Sequence, residues 1–376
     1  VALSATVSNS KQLKNWINKV HGPTSLINSI NRPVPLEFIF CSAKGFHPLL
    51  NKKGNGIHPN CKVWRAPKGQ LKKSRSGRIT QPKTPPISFV ISNLAERKML
   101  PAIYFIFSRR GCDKAVANIK DLTLVNYKEA SLINEKLSKY IKNNQEGIKD
   151  KINFEALKRG VASHHAGQLP AWKEFVEELF QMGLIKVVFA TETLAAGINM
   201  PARTTIISSL SKRTENGHRL LFSSEFLQMS GRAGRRGKDT QGYVVTVQNR
   251  FEGAKEASIL ATSEPNPLIS QFTPSYGMVL NLLQNYSIEK SRELIKRSFG
   301  SFVYLEESAN ENLNITNLND ELNNLKRLTL NISWEDFDQY EKLKIRIKEE
   351  KRILKILEKQ ASKKLSEEIV IAIKFL

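Results

Sequence analysis

Cysteine is scarce, and acid is missing from one long stretch. Only three cysteines occur, Cys41, Cys61 and Cys112, and no two of them form a CxxC pair. That spacing supports neither a zinc site nor a disulfide framework and makes the thiols buried or incidental ones of a reducing compartment, the cytoplasm or an organelle stroma or matrix. No set of metal ligands is identified. No run approaches the length of a membrane-crossing helix, and the amino end shows no signal peptide. Methionine is absent from position 1. The chain opens "VALSAT", an apolar run breaking into small polar residues, which reads as a strand end inside a domain and points to a fragment of a longer chain. Residues 41–90 contain no Asp or Glu but 11 Lys/Arg, with many Gly, Pro and Ser. Such a composition buries little, so a basic linker or insertion is expected over 41–90.

The chain has 376 residues, 40% hydrophobic and 25% charged, ordinary for a globular protein of two or three domains. Its net charge of +23 is not ordinary. A field of that sign attracts polyanions, and with no membrane segment the partner class is nucleic acid.

Between residues 91 and 262 strand and helix signals alternate. "AIYFIF" (102–107), "VASHHA" (161–166), "IKVVFA" (185–190), "TTIISSL" (204–210) and "GYVVTV" (242–247) are short apolar runs. Between them, Trp172, Phe175, Val176, Leu179 and Phe180 recur at helical steps over 170–182. Runs apolar on both faces and separated by helices predict an α/β fold, a parallel sheet with helices on both faces. Residues 263–305 read as a small helical module. Residues 306–376 carry 13 basic and 14 acidic residues. There Trp334, Phe337, Tyr340, Leu343, Ile347, Leu354 and Leu357 form one stripe, predicting a long amphipathic helix, stalk-like or coiled.

In doubly wound sheets, ligands bind beyond the carboxyl ends of the strands. Four polar clusters are expected along one such edge: "SRRGC" (108–112), "SHHAG" (163–167), "TETLAAGINMPA" (191–202) and "QMSGRAGRRG" (228–237). Guanidinium groups hold phosphate oxygens bidentately and keep their charge. Arg232 and Arg235, three apart, point from one face if that stretch is helical. Gly231 and Gly234 then allow a backbone or ligand to approach closely. The pair suits charge developing on a transferring phosphoryl group.

"QMSGRAGRRG" resembles motif VI of superfamily-two helicases, and its RRG ending resembles the superkiller- and exosome-associated DExH-box RNA helicases. "SAT" (4–6) is similar to motif III, "PAIYFIFSRRGC" (101–112) to motif IV, and "TETLAAGINMPA" to motif V. "GVASHHAGQLP" (160–170) is similar to the family's stretch between motifs IV and V. "NPLISQFTPSYGMVLNLL" resembles the start of the winged-helix domain that follows the motors. The match covers about the first 40 residues and 91 to roughly 305.

The resemblance implies a RecA-like sheet at 91–262, the end of a first RecA-like domain at 1–40, and a winged-helix-like start at 263–305. It implies ATP with Mg2+ between two RecA-like domains, with Gln228, Arg232 and Arg235 on the phosphates. Gly197 and Asn199, with Gly231 and Gly234, would line the nucleotide. Ser108, Arg109, Thr191 and Thr193 would hold a nucleic-acid backbone, and His164 and His165 would lie near the strand. For the histidines a buried polar pair at the strand end is an equal reading. Ser4 and Thr6 would couple the domains; Arg236 receives no role. The implied partners are RNA, single-stranded or duplex with an overhang, the missing first RecA-like domain, and an RNA-degradation or ribosome-related complex.

The chain departs from the family pattern where the nucleotide is held. It has no GxxxxGK[ST] phosphate loop and no DExH box, so the metal belongs to the missing upstream half and this chain alone is expected to be inactive. Two rival readings stay open: a DNA-repair helicase of the same superfamily, and a non-catalytic nucleic-acid-binding fragment.

Overall fold

The computed structural model describes residues 1–4, 7–29, 31–64, 84–143, 151–195, 200–214, 217–273, 275–327 and 334–374. They fall into two compact units: residues 1–8 with 29–266, and residues 9–28 with 267–376. Helix α1 (Ser10–Val20) belongs to the second.

The first unit is an α/β layer structure. Its strands are β1 (Leu36–Ser42), β2 (Gly45–Pro48), β3 (Ala102–Phe105), β4 (Val161–His164), β5 (Val187–Ala190), β6 (Thr204–Ile207), β7 (Ser211–Thr214), β8 (Gly217–Leu220) and β9 (Gly242–Val247). Seven form one sheet in the order β2-β1-β9-β6-β3-β5-β4, parallel except for the β1–β2 hairpin, while β7 and β8 form a separate antiparallel hairpin. Helices α2 (Ile87–Glu96), α3 (Arg109–Asn118), α4 (Tyr127–Asn143), α5 (Lys151–Lys158), α6 (Pro170–Gln181), α7 (Ser223–Ser230) and α8 (Ala254–Thr262) complete it.

All four residues of β3, β4, β5 and β6 are buried, as doubly covered strands require. Alternation sends successive side chains to opposite faces. Ile103, Phe105, Val188 and Ala190 join one core with Trp172, Phe175, Val176 and Leu179 of α6. Ala102, Tyr104, Val187 and Phe189 join the other with Val90, Ile91 and Leu94 of α2 and Cys112, Ala115 and Val116 of α3. Pro170 occupies the first turn of α6, where its missing N–H costs nothing. Each large side chain buried this way contributes about 1.5–3 kcal/mol.

Residues 31–64 differ from expectation. Leu36–Ser42 is a strand of this sheet, paired in parallel with β9 from Leu36↔Gly242 to Cys41↔Val247, rather than the end of a preceding domain. The basic linker expected over 41–90 is corrected over 41–64 and at α2: Cys41, Leu49 and Cys61 are wholly buried, as are Val90 and Ile91. The averaged composition misled because seven of the 11 basic residues fall at 65–83, outside the described residues. All three thiols are buried and unpaired, and burial raises Cys41 and Cys112 to about 12 and Cys61 to about 11, so none is a reactive thiolate.

The second unit is helical among its described residues: α1 with α9 (Tyr276–Asn285), α10 (Ile288–Lys296), α11 (Phe299–Arg327) and α12 (Trp334–Lys374). The Trp16 ring meets Phe299 edge-on at 5.4 Å, and its Nε1 donates to Arg297 O at 2.8 Å. Asn9 exchanges hydrogen bonds with the Leu268 backbone. Segment 10–20 therefore packs with the later helices. Leu318 and Leu322 of α11 meet Leu343 and Ile347 of α12. The expected stripe is covered there, while Phe337 stays exposed. No described helix is long and apolar enough to cross a membrane.

Candidate functional site

Strand β3 ends in an exposed Ser-Arg-Arg turn that starts α3. Ser108 is extended and its Oγ accepts from Gly111 N at 3.2 Å, an N-cap that leaves Arg109 and Arg110 exposed on the first turn. Strand β4, which lies beyond β5 in the sheet, ends at His164, and His165 follows it; both are buried. His165 Nδ1 accepts from Gly167 N at 3.2 Å, which leaves Nε2–H to donate to Asp113 Oδ1 at 2.9 Å. Asp113 also accepts from Ser163, whose hydroxyl accepts from Gln168, whose Oε1 in turn accepts from His165 N. This net ties the 165–168 turn to α3. A Cβ at Gly167 would stand 3.4 Å from Arg109 Cδ, so the Arg109 stem lies close over that turn. His164 Nε2 pairs with Glu177 Oε1 at 2.8 Å, and burial lowers its pKa although Glu177 opposes the shift. A direct strand contact by either histidine would require opening these bonds; the geometry fits the buried polar pair.

From the carboxyl end of β5 the chain crosses to the amino end of β6. Thr191 Oγ1 and Thr193 Oγ1 lie 2.9 Å apart at the start, with Thr193 exposed on a 3-10 turn over Glu192–Ala195 whose Leu194 and Ala195 are buried. Gly197 and Asn199 lie outside the described residues, as does Thr6; Ser4 is exposed and in no strand. Ala202 at the far end pairs with Ala233.

The arginine loop corrects two expectations. It is not at the carboxyl edge. Gly234 N donates to Ala202 O at 2.8 Å and Gly242 N to Pro35 O at 2.9 Å, so residues 231–241 sit at the amino ends of β6, β9 and β1. A loop entering a parallel strand must lie at its amino end; only loops leaving strands gather at the other. Nor are Arg232 and Arg235 helical: α7 stops at Ser230, Gly231 caps it, and Gly234 and Gly237 have φ of +82° and +74°. The close approach foreseen at Gly234 is that of Val34, whose Cγ1 would stand 2.7 Å from an added Cβ.

Arg232 reaches the crossover, its Nε and Nη2 donating to Ala195 O at 2.9 and 2.6 Å, and burial lowers its pKa. Arg235 is held by Asp239, which its backbone N, Nε and Nη2 all contact at 2.8–2.9 Å. The Asp239 side chain is fully buried, and it also accepts from Arg203 Nε at 3.0 Å. Burial alone would raise this carboxyl; the hydrogen bonds from Arg235 and the charge of Arg203 outweigh it and lower the pKa. Among the described residues nothing engages Arg235 Nη1. Gln228 and Arg236 are exposed.

Asp239, Arg203 and Asp113 lie outside the quoted motifs, and Gln168, inside one, received no role there. Asp239 had one signal, a carboxylate four residues after Arg235 in a glycine-rich turn. The hairpin β7–β8 was also missed. Its Lys212 bridges Glu192 and Glu225, and Arg219 forks onto Glu225 at 2.7 and 2.9 Å while lying 3.9 Å over the Phe222 ring. Burial pushes the Glu225 carboxyl up, but Arg219, Lys212 and the Phe222 N–H bring it down to about 2. Among the described residues no cluster of His, Cys, Asp or Glu could hold a metal.

The Helicase conserved C-terminal domain matches residues 114–237. The chain is 40% identical over 358 residues to the chloroplastic DExH-box ATP-dependent RNA helicase DExH15 of Arabidopsis thaliana, covering 81% of this chain and 30% of that protein. It is 36% identical over 309 residues to the exosome RNA helicase MTR4 of Homo sapiens, covering 77% and 30%. To the human superkiller complex protein 2 it is 32% identical over 329 residues, covering 80% and 26%. The chain thus spans under a third of the length of these relatives.

Proposed function

The chain belongs to the superfamily-two DExH-box helicases, in the part that carries the carboxyl-side motor domain, and from that premise we propose that it is one half of an ATP-dependent RNA translocase. An amino-side RecA-like domain would supply the phosphate loop and the acidic box that holds Mg2+. ATP bound between the halves supplies a phosphoanhydride whose cleavage drives the cycle. On this chain, Arg235 fits such a group: its guanidinium is fixed by Asp239 and keeps Nη1 for a phosphate oxygen. Arg232 and Gln228 would join it on the phosphates, and Gly231, Gly234, Gly197 and Asn199 would line the nucleotide.

RNA would lie across the carboxyl edge, its phosphates on Ser108, Arg109, Thr191 and Thr193 and on the N–H groups that open α3. Contacts to phosphate and sugar carry little sequence preference. His164 and His165 would position the turn beside Arg109, and Ser4 and Thr6 would couple the two motors. A strand, free or overhanging a duplex, is the substrate, and an RNA-degradation or ribosome-related assembly the setting; two relatives are named for an exosome and a superkiller complex.

One observation carries this reading. The turn bearing Thr193 is the turn whose Ala195 carbonyl holds Arg232. A strand bound at one sheet edge and a nucleotide bound near the other would therefore bear on the same backbone segment. The test is unwinding of overhanging RNA and DNA duplexes by the intact protein with ATP. RNA unwinding supports the proposal, and unwinding of DNA alone defeats it.

A further inference from the structure

Arg32 belongs to none of the motifs above. It sits in "NRPVP" (31–35), just after the chain passes from the second unit to the first at Ser29. Its residue is exposed, yet its guanidinium turns back onto the arginine loop. Nε donates to Val34 O at 2.9 Å, and Nη2 donates to Ala233 O at 2.6 Å and Gly231 O at 3.3 Å. Gly231 caps α7, and the last carbonyls of a helix lack partners within it. A cation there satisfies them and meets the negative end of the helix.

The rest of the segment closes on the same loop. Val34 is buried beneath Gly234, where any side chain larger than hydrogen would collide with it. Pro35 O accepts from Gly242 N, where the loop enters β9. The loop's own ladder to Ala202, through Gly234 N→Ala202 O and Ala202 N→Arg232 O, holds its other side. Arg32 thus grips the carbonyls on both sides of Arg232.

The geometry points to Arg32 as a positioning residue for nucleotide hydrolysis: it sets the backbone that aims Arg232 and Arg235, and it makes their aim depend on the connector that enters this unit. The inference rests on the motor reading above. Arginine is required because one rigid fork must serve Val34 and Ala233 together; a lysine has a single point charge.

The experiment is steady-state RNA-stimulated ATP hydrolysis by the intact helicase. Arg32→Ala is expected to lower kcat by about ten- to a hundredfold, as small misplacements of reacting groups do. KM for ATP should stay within roughly twofold, since the loss falls on the transition state. Arg32→Lys should recover only part of the rate. In an Arg235→Lys background, Arg32→Ala should add little further loss, because it acts through the same loop. A raised KM with unchanged kcat, or fully additive losses, would overturn the inference. Should Arg32→Ala melt early, Arg32→Lys and Arg32→Gln carry the same comparison. Normal turnover by Arg235→Ala would instead defeat the motor reading itself. An inactive Arg235→Ala beside a fully active Arg32→Ala defeats the Arg32 role alone.

Discussion

Arg235 and Asp239 are clasped by three hydrogen bonds within one turn of chain, the backbone N and Nε of the arginine to Oδ2 and its Nη2 to Oδ1. The carboxylate is wholly buried and shared with Arg203, whose Nη1 donates to Lys98 O at 2.6 Å. The clasp joins the arginine loop to the residues that lead into β3 and β6.

Replacing Asp239 with Asn keeps the shape and removes the charge. Hydrogen bonds to charged groups are worth about 1.5–3 kcal/mol, and two guanidiniums would lose their common partner. Asp239→Asn should therefore destabilise the protein by roughly 2–3 kcal/mol in urea unfolding and slow ATP hydrolysis. Unchanged stability would mean that the clasp is idle.

Acid should weaken the first unit in two separate windows. Burial holds His164 below its ordinary 6.5, so the unfolded chain takes up the proton first. The contribution of neutral His164 is complete above pH 6.5 and declines as pH falls below it. Glu225 lies at about 2 against an ordinary 4.5, so its contribution is complete above pH 4.5 and is lost toward pH 2. A shift of that size corresponds to about 3 kcal/mol. Melting temperature against pH should lose the upper step in His164→Gln and the lower one in Glu225→Gln.

Trp172 anchors an aromatic cluster with Tyr140, Phe154 and Phe175 at centroid distances of 5.7–6.0 Å. Trp172→Ala removes a ring from a packed core and should cost about 3–5 kcal/mol. The fraction that remains folded should bind RNA as the parent does.

Arg109→Ala should weaken RNA binding and reduce the slope of log affinity against log salt by about one, the signature of one lost phosphate contact. Nucleotide affinity without RNA should not change. Thr193→Ala should weaken RNA binding without altering the salt slope, because a hydroxyl carries no charge.

Much of this architecture is legible in the sequence. "GYVVTV" forms a strand over its full span, and the five apolar residues of α6 are all buried, because strand and helix periods leave regular traces. The β1–β2 pair is not legible from composition, since β1 runs across the start of the acid-free basic stretch and the short β2 lies inside it, between Lys44 and Lys52. The arginine loop's shape is not legible either. A helical spacing of Arg232 and Arg235 suits a continuous helix, and only the tertiary approach of Val34 and the positive φ of Gly234 show why the helix must end. Asp239 and Arg32 act on the arginine motif from outside its span, Asp239 through Arg235 and Arg32 through the Gly231 and Ala233 carbonyls, and no helix or strand period marks either.

RNA-stimulated ATP hydrolysis by the Arg235→Ala form of the intact helicase tests the central claim most directly. A guanidinium placed on the transferring phosphoryl group predicts a loss of at least about a thousandfold in kcat, with RNA affinity within roughly twofold of the parent. Turnover at the parent's rate would contradict the account.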